Sequence, residues 1–216
     1  MPDPTLDGRP IREVLEEKRG QLIIKRLFDV LASGAGLLLL SPLFLVVAIR
    51  IKTDSEGPVF FRQTRMGLHA EPFRIYKFRT MVTDAEQKGR QITVGADARI
   101  TKAGRFLRKS KIDELPQLIN VFLGDMSLVG PRPEVPKYLP HYRPEDLSTL
   151  WIRPGITAPS SVHFRDESEL LAESDDPETT YIQKILPYKN DLNKQYVRDL
   201  SFGTDLRTIF QTLGIL

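Results

Sequence analysis

A chain of 216 residues can bury one ordinary core and carry one or two appended elements. It contains no cysteine, which excludes disulfide frameworks, thiolate catalysis and cysteine-ligated zinc, and its histidines His69, His141 and His163 are scattered without metal-site spacing. A formal net charge of +3 suits nucleic acid, anionic lipid and phosphorylated substrates equally, so the placement of the charge has to discriminate.

The first ten residues, M-P-D-P-T-L-D-G-R-P, are polar and acidic near their start, unlike a secretory signal. Residues 1–20 therefore read as a short polar extension. Within it, 10–19 form an amphipathic helix, with Pro10 in the first turn and Ile11, Val14 and Leu15 on one side. Residues 21–52 read as a membrane segment. From Val30 to Ile49 no residue is charged, about the length a bilayer core requires, and no polar face interrupts the run as it would in a soluble amphipathic helix. Ser41-Pro42 falls near its middle, where proline removes a backbone donor. Cations flank both ends, Lys25 and Arg26 before, Arg50 and Lys52 after, and the positive-inside tendency resists translocating either pair. These features predict a helix that breaks at Ser41 and Pro42 and returns, with the Ser41 hydroxyl serving freed backbone groups. Gly34 and Gly36 would let the arms, or a neighbouring helix, approach closely.

Residues 53–216 read as the catalytic body, on the cytoplasmic face. Strands are expected at 58–62 and 72–80 around a turn at 67–71. An exposed helix at 83–88 and a loop at 89–98 follow, then helices at 101–109 and 115–122, the second ended by Gly124 and Asp125. Prolines at 131, 133, 136, 140, 144, 154 and 159 predict a loop-rich middle, and Arg153-Pro154-Gly155 predicts a type II turn. Residues 166–173 and 177–186 read as acidic amphipathic helices. Near the end, Leu206, Ile209, Phe210 and Leu213 make one apolar stripe, suited either to the chain's own core or to lipid. The fold class is α+β: a membrane hairpin, a small β-hairpin and a mainly helical body with interfacial helices.

The densest chemistry lies in R-F-L-R-K-S-K-I-D-E-L-P-Q, Arg105 to Gln117. Arg99, Lys102, Arg105 and Arg108 recur every three residues, Lys109 and Lys111 add charge, and Asp113 and Glu114 follow just before Pro116. Proline suits a first helical turn, so the carboxylates sit near a helix N-terminus, where the dipole and free amides favour anions. One reading is a capping box at Ser110-x-x-Asp113 beside a solvated basic face. The other is phosphoryl chemistry: one carboxylate attacks phosphorus, the second takes a proton or holds a cation, and arginines with a metal ion neutralise the phosphoryl oxygens. Adjacent helical residues diverge by about 100°, so the pair is expected to divide roles. Arg132, between Pro131 and Pro133 in S-L-V-G-P-R-P-E, is either part of a rigid surface loop or a preset phosphate fork. Lys77 and Arg79 add two cations at the end of the second strand.

Taken together, K-R-L-F-D-V with the apolar run and Ser41-Pro42, G-P-V-F-F-R-Q-T-R-M-G, F-R-I-Y-K-F-R-T-M, the Arg99 to Val121 segment, G-D-M-S-L-V-G-P-R-P-E and R-P-G-I-T resemble the bacterial sugar transferase family. These are the monotopic phosphoglycosyl transferases, and the resemblance runs from about Lys25 to Leu213. It implies a re-entrant helix broken at Ser41-Pro42, held in one leaflet of the bacterial inner membrane at its cytoplasmic face. It implies that Asp113 takes the sugar-phosphate from a nucleotide sugar, with UDP as the expected nucleotide, releasing a nucleoside monophosphate. Polyprenyl (undecaprenyl) phosphate then attacks with the help of Glu114, as the first membrane step of glycan assembly. Mg2+ is the implied cofactor, with Asp113 as its candidate ligand. Arg108 and Arg132 match arginines associated with the substrate phosphates, and Gln117 lies in the same motif; Lys77, Arg79 and Arg105 join them as candidate phosphate contacts. Ala158-Pro159-Ser160-Ser161 departs from the glycine-leucine type continuation of many relatives. The short polar start matches the small, core-only form, and downstream glycosyltransferases are the expected protein partners. A non-catalytic module on anionic lipid would explain the charge and the hairpin but leave Asp113, Glu114 and Arg132 without a purpose. A nucleic-acid partner is not expected, because no recognition motif accompanies the charge.

Overall fold

The computed structural model describes residues 3–85 and 97–214. A two-residue Asp7-Gly8 turn with positive φ at both positions joins β1 (Thr5–Leu6) to β2 (Arg9–Pro10), the backbone that Asp-Gly hairpins favour. Pro10 then caps α1 (Ile11–Glu17), which buries Ile11 and Val14. Leu6, Ile11 and Val14 belong to one core cluster with Val129, Ile152, Tyr196, Val197 and Leu200. The polar-looking extension is thus packed into the body by three apolar side chains.

α2 (Arg19–Leu39) and α3 (Ser41–Asp54) meet at a bend of 60°. The cause is local. Pro42 has no N–H to offer the Leu38 carbonyl four residues back, and the Ser41 hydroxyl donates to that carbonyl instead, at 2.8 Å. Neither helix alone is long and apolar enough to cross a membrane; the bent pair reaches that length and apolar composition only when its two arms are counted together. The faces of α2 are inverted relative to a soluble surface helix. Lys25, Asp29 and Ser33, spaced by four residues, are its buried side chains, while Leu27, Leu31, Leu38 and Leu39 are each more than 60% exposed, as are Leu45 and Val46 on α3.

Each inward polar group has a partner. Lys25 Nζ pairs with Asp205 Oδ2 at 2.5 Å, Tyr196 donates to Asp205 Oδ1 at 2.6 Å, and Asp29 Oδ1 accepts the Leu128 N–H at 3.0 Å. Ser33 donates to Val30 O at 3.3 Å. Buried charges of this kind contribute little net stability, but they cost several kcal/mol when mispaired, so they select one docking of the helix. The small residues act as expected, against a neighbouring helix: a Cβ at Gly34 would stand 3.3 Å from the Phe122 ring, and one at Gly36 would stand 3.2 Å from Leu118.

β3 (Phe60–Met66) and β4 (Pro72–Phe78) pair antiparallel from Phe60 opposite Phe78 to Met66 opposite Pro72. The first strand runs further than the 58–62 expected, because every residue through Met66 finds a partner. Residues 83–85 form a turn where a helix was expected; the rest of that segment (86–88) and most of the expected loop (89–96) lie outside the described residues. α4 (Lys102–Lys109) starts on two caps, Thr101 Oγ1 accepting the Gly104 N–H and Asp54 Oδ2 accepting the Ala103 N–H. Those bonds satisfy two of the four orphan donors of the helix and lock its start to the end of α3. A Cβ at Gly104 would meet the Thr80 carbonyl at 2.0 Å, so only glycine fits there.

α5 (Gln117–Leu123) ends at Gly124 in the left-handed region. Arg26 takes the Val121 and Phe122 carbonyls at 2.7 and 3.1 Å, and Arg153 takes that of Gly124 at 2.8 Å. β5 (Ser127–Val129) pairs in parallel with β6 (Gly155–Thr157). Gly155 therefore opens a strand and has no positive φ, which corrects the type II turn expected there. Its glycine is required by contact, since a Cβ would lie 2.1 Å from Gly130 N.

The proline-rich middle forms 3-10 turns at Pro136–His141 and Pro144–Trp151. Short helices α6 (Pro159–His163), α7 (Glu167–Ala172) and α8 (Pro177–Thr180) follow. A π-helical turn, Tyr181–Ile185, leads into α9 (Leu186–Arg198), and α10 (Phe202–Thr212) closes the chain. On α10 the inward residues are Asp205 and Thr208. Ile209 packs on the core while Phe210 and Leu213 stay exposed, so only part of the expected stripe faces the chain's own core. Among the described residues, three two-stranded sheets in a mostly helical chain make the class α+β, as expected.

Candidate active site

The chain leaves α4 through Ser110 and turns at Lys111, which takes the left-handed conformation at φ 56. One 3-10 turn, Ile112–Glu114, follows before α5. Ser110 donates to Phe106 O at 2.8 Å and the turn has no side-chain cap, so the capping-box reading of Asp113 does not describe this backbone. The turn holds both carboxylates against residues distant in sequence. Glu114 Oε1 meets Lys77 Nζ of β4 at 2.7 Å and Arg132 Nη2, beyond β5, at 2.6 Å. Asp113 is 8% exposed, and its Oδ1 is buried with no hydrogen-bond partner among the described residues.

The two acids are pushed apart electrostatically. Burial raises Asp113 above the ordinary carboxylate range, an effect that nearby Lys77, Arg108 and Lys111 only partly offset and Glu114 reinforces. Burial would also raise Glu114, but Arg132 and Lys77 outweigh it and hold that group well below its usual value. Adjacent carboxylates separated in this way are suited to different tasks.

Both line a cleft of about 1880 Å³, together with Lys77, Arg108 and Arg132. That exceeds the roughly 300–1,000 Å³ of a typical small-ligand site. Arg79 reaches the cleft wall, but its guanidinium is bound to the carbonyls of Ser55, at 2.8 Å, and Glu56, closing the end of α3. Arg105 is exposed on α4 and is not among the lining residues. Gln117 is 1% exposed, with its amide nitrogen unpartnered, and does not line the cleft either. Arg99 precedes α4 and pairs with Asp97 at 2.6 Å, so the four-residue basic face expected from the spacing is not one helical stripe. Arg65, Tyr138, Tyr181 and Asn190 line the cleft without local sequence signal; only long-range folding brings them there. No group of three or more metal-ligating side chains occurs among the described residues. One carboxylate with a free oxygen in a cleft lined by Lys77, Arg108 and Arg132 is still a donor set that Mg2+ accepts, because that ion usually keeps its waters and takes one or two carboxylates.

The chain spans about half or less of the first curated relatives it matches. It is 39% identical over 197 residues to a UDP-glucose:undecaprenyl-phosphate glucose-1-phosphate transferase of Klebsiella pneumoniae, covering 89% of this chain and 40% of that protein. It is 37% identical over 220 residues to the UDP-N-acetylgalactosamine-undecaprenyl-phosphate N-acetylgalactosaminephosphotransferase of Aeromonas hydrophila, covering 97% and 49%. A UDP-glucose:undecaprenyl-phosphate glucose-1-phosphate transferase of Caulobacter vibrioides is 39% identical over 213 residues, covering 97% and 73%. The model of the bacterial sugar transferase family matches residues 20–216, which include the bent helix pair, both carboxylates and Arg132. The chain belongs to the bacterial sugar transferase family.

Proposed function

We propose that this protein moves a sugar-1-phosphate from a UDP-sugar to undecaprenyl phosphate in two covalent half-reactions, at the start of glycan assembly. The observation that carries the reading is the divergence of Asp113 and Glu114, one unpaired and the other locked between two cations, in a cleft large enough for donor and acceptor. The Asp113 carboxylate attacks the phosphorus that bears the sugar, and the bond to the UMP oxygen breaks, so UMP leaves with that electron pair. An oxygen of the lipid phosphate then attacks the same phosphorus and frees Asp113. Arg132 and Arg108 supply positive charge to the phosphoryl oxygens. Glu114, held ionised, is a poor proton acceptor; its bonds to Lys77 and Arg132 suit it to holding those cations in place. Mg2+ would be held by Asp113 and the donor phosphates, and when bound it neutralises charge on the transferring group. Purified protein given UDP-glucose or UDP-N-acetylgalactosamine with undecaprenyl phosphate should release UMP. Binding to anionic vesicles without UMP release from either donor would favour the non-catalytic lipid module instead.

The inverted faces of α2 support placement in one leaflet, since an apolar outer surface of this extent suits hydrocarbon better than water. The arms, of 21 and 14 residues, measure about 31 and 21 Å at 1.5 Å per residue. A 60° bend shared equally would sink the elbow about 10–15 Å, within one half of a roughly 30 Å core. Both flanks then stay on the cytoplasmic side of the bacterial inner membrane. Cysteines introduced at Thr5 and Gln195 should react with an impermeant reagent from that side only. Labelling from opposite sides would show that the segment spans.

A further inference from the structure

Among the described residues, most buried side-chain polar atoms that lack a hydrogen-bond partner belong to residues lining the active-site cleft. Asp113 Oδ1 lies at its phosphoryl centre, whereas Tyr138 OH, Ser161 Oγ and Asn190 Nδ2 belong to a different part of the wall. Tyr138 is 3% exposed and Asn190 1% exposed. A buried hydroxyl or amide without a partner is costly; several on one cleft wall point to a polar ligand that completes them. Burial pushes the Tyr138 hydroxyl up to about 12, reinforced by Glu178 and Glu134, so it stays protonated and able to donate.

The surroundings of this lobe favour a saturated polyol over a planar base. Tyr138 and Tyr181 pack against each other at a 51° tilt with centroids 4.9 Å apart, too close for a nucleobase to stack between them. Tyr181 is fixed from behind by the Lys189 ammonium over its ring and donates its hydroxyl to Glu134. Arg65 joins this lobe to the Glu114–Arg132 pair: its Nη1 lies 3.9 Å from Glu134 Oε1, and its guanidinium feels the charges of Arg132 and Glu114 as well as the Tyr181 hydroxyl. In a nucleotide sugar the ring is bonded directly to the attacked phosphate, while the base lies beyond a second phosphate and a ribose.

We propose that the lobe lined by Tyr138, Ser161, Tyr181 and Asn190 receives the sugar ring of the nucleotide-sugar donor, with Tyr138 and Asn190 donating to its hydroxyl or acetamido oxygens and so setting sugar choice. The assignment rests on the phosphoglycosyl transfer reading above. Its test measures UMP release from UDP-glucose and from UDP-N-acetylgalactosamine, and inhibition by UDP, in the wild type, Tyr138→Phe and Asn190→Ala. Each variant should lower kcat/KM for the preferred donor by roughly three- to tenfold, the loss of one neutral hydrogen bond. The ratio between the two donors should shift, and inhibition by UDP should stay as in the wild type. Tyr138→Phe keeps the ring and its packing, so a loss there is separable from misfolding of Asn190→Ala. An unchanged donor ratio in a folded Tyr138→Phe enzyme would overturn the assignment, and so would UDP inhibition weakened by the same factor, which would place the nucleoside there. A wild-type protein that releases UMP from neither donor would sink the transfer reading, and the sugar subsite with it.

Discussion

Asp113→Asn should abolish UMP release and covalent labelling together in a protein that still folds. Enzyme and UDP-sugar alone, without lipid acceptor, are expected to give about one equivalent of UMP and a protein heavier by one sugar-phosphate, the signature of a ping-pong route. Asparagine keeps the shape of the side chain and removes the nucleophile. It also removes a buried carboxylate whose charged form is disfavoured there, so stability should hold or rise. The pH profile supplies an independent check. Attack needs the ionised form, and burial raises the Asp113 pKa; the rate should therefore fall as pH drops through a value above the usual carboxylate range of about 3.9. Glu114 is held low and adds no limb in that window; the stability it contributes is present above its unfolded pKa and is lost only as pH falls through its depressed one. Glu114→Gln should slow turnover severely yet leave some labelling, because it weakens the hold on Lys77 and Arg132 and spares the nucleophile. Wild-type turnover in Asp113→Asn, with little change in stability, is what a helix-start role would give instead, because asparagine caps a helix about as well as aspartate.

Arg132→Ala should be nearly as damaging, and for two reasons that act together. Its guanidinium is a candidate phosphate ligand on the cleft wall, and it is also one of the two cations that keep the buried Glu114 ionised. Loss of a charge-assisted bond costs about 1.5–3 kcal/mol, roughly tenfold to more than a hundredfold in rate. Removal of half of the pairing of Glu114 adds to that, so the larger end of the range is expected in kcat/KM. Arg132→Lys retains charge without the planar fork and should fall between. Arg108→Ala, which leaves Glu114 paired, should lose less than Arg132→Ala. Steady-state kinetics beside thermal unfolding of each variant separates chemistry from folding, and near-normal kinetics in both alanine variants would show that these arginines do not meet phosphate.

Local sequence was enough wherever the cause was local. Pro42 deletes a donor and Ser41 supplies a replacement within the same turn, so the bend could be read from two adjacent letters. Alternation and loop residues placed the β3–β4 hairpin, and the Asp113-Glu114 pair before Pro116 marked two carboxylates that line the same cleft. Six ordered motifs pointed to the family without any contact being known. The signals failed where a side chain's partner lies far along the chain. Arg79, Arg105 and Arg108 look alike as letters near the centre. Yet Arg79 is bound to the carbonyls of Ser55 and Glu56, Arg105 is exposed away from the cleft, and Arg108 lines it. Their differing roles follow from which face of a helix or strand each occupies once packed, and a period of three along α4 does not carry that information. The same holds for Lys25, which with Arg26 reads as the cationic flank of an apolar run but turns inward to Asp205, and for Asp29, which turns inward to accept the Leu128 N–H. The lobe formed by Tyr138, Tyr181 and Asn190 comes from a 3-10 turn, a π-helical turn and α9. No spacing rule links residues so far apart; burial and hydrogen bonding across the assembled body bring them to one wall.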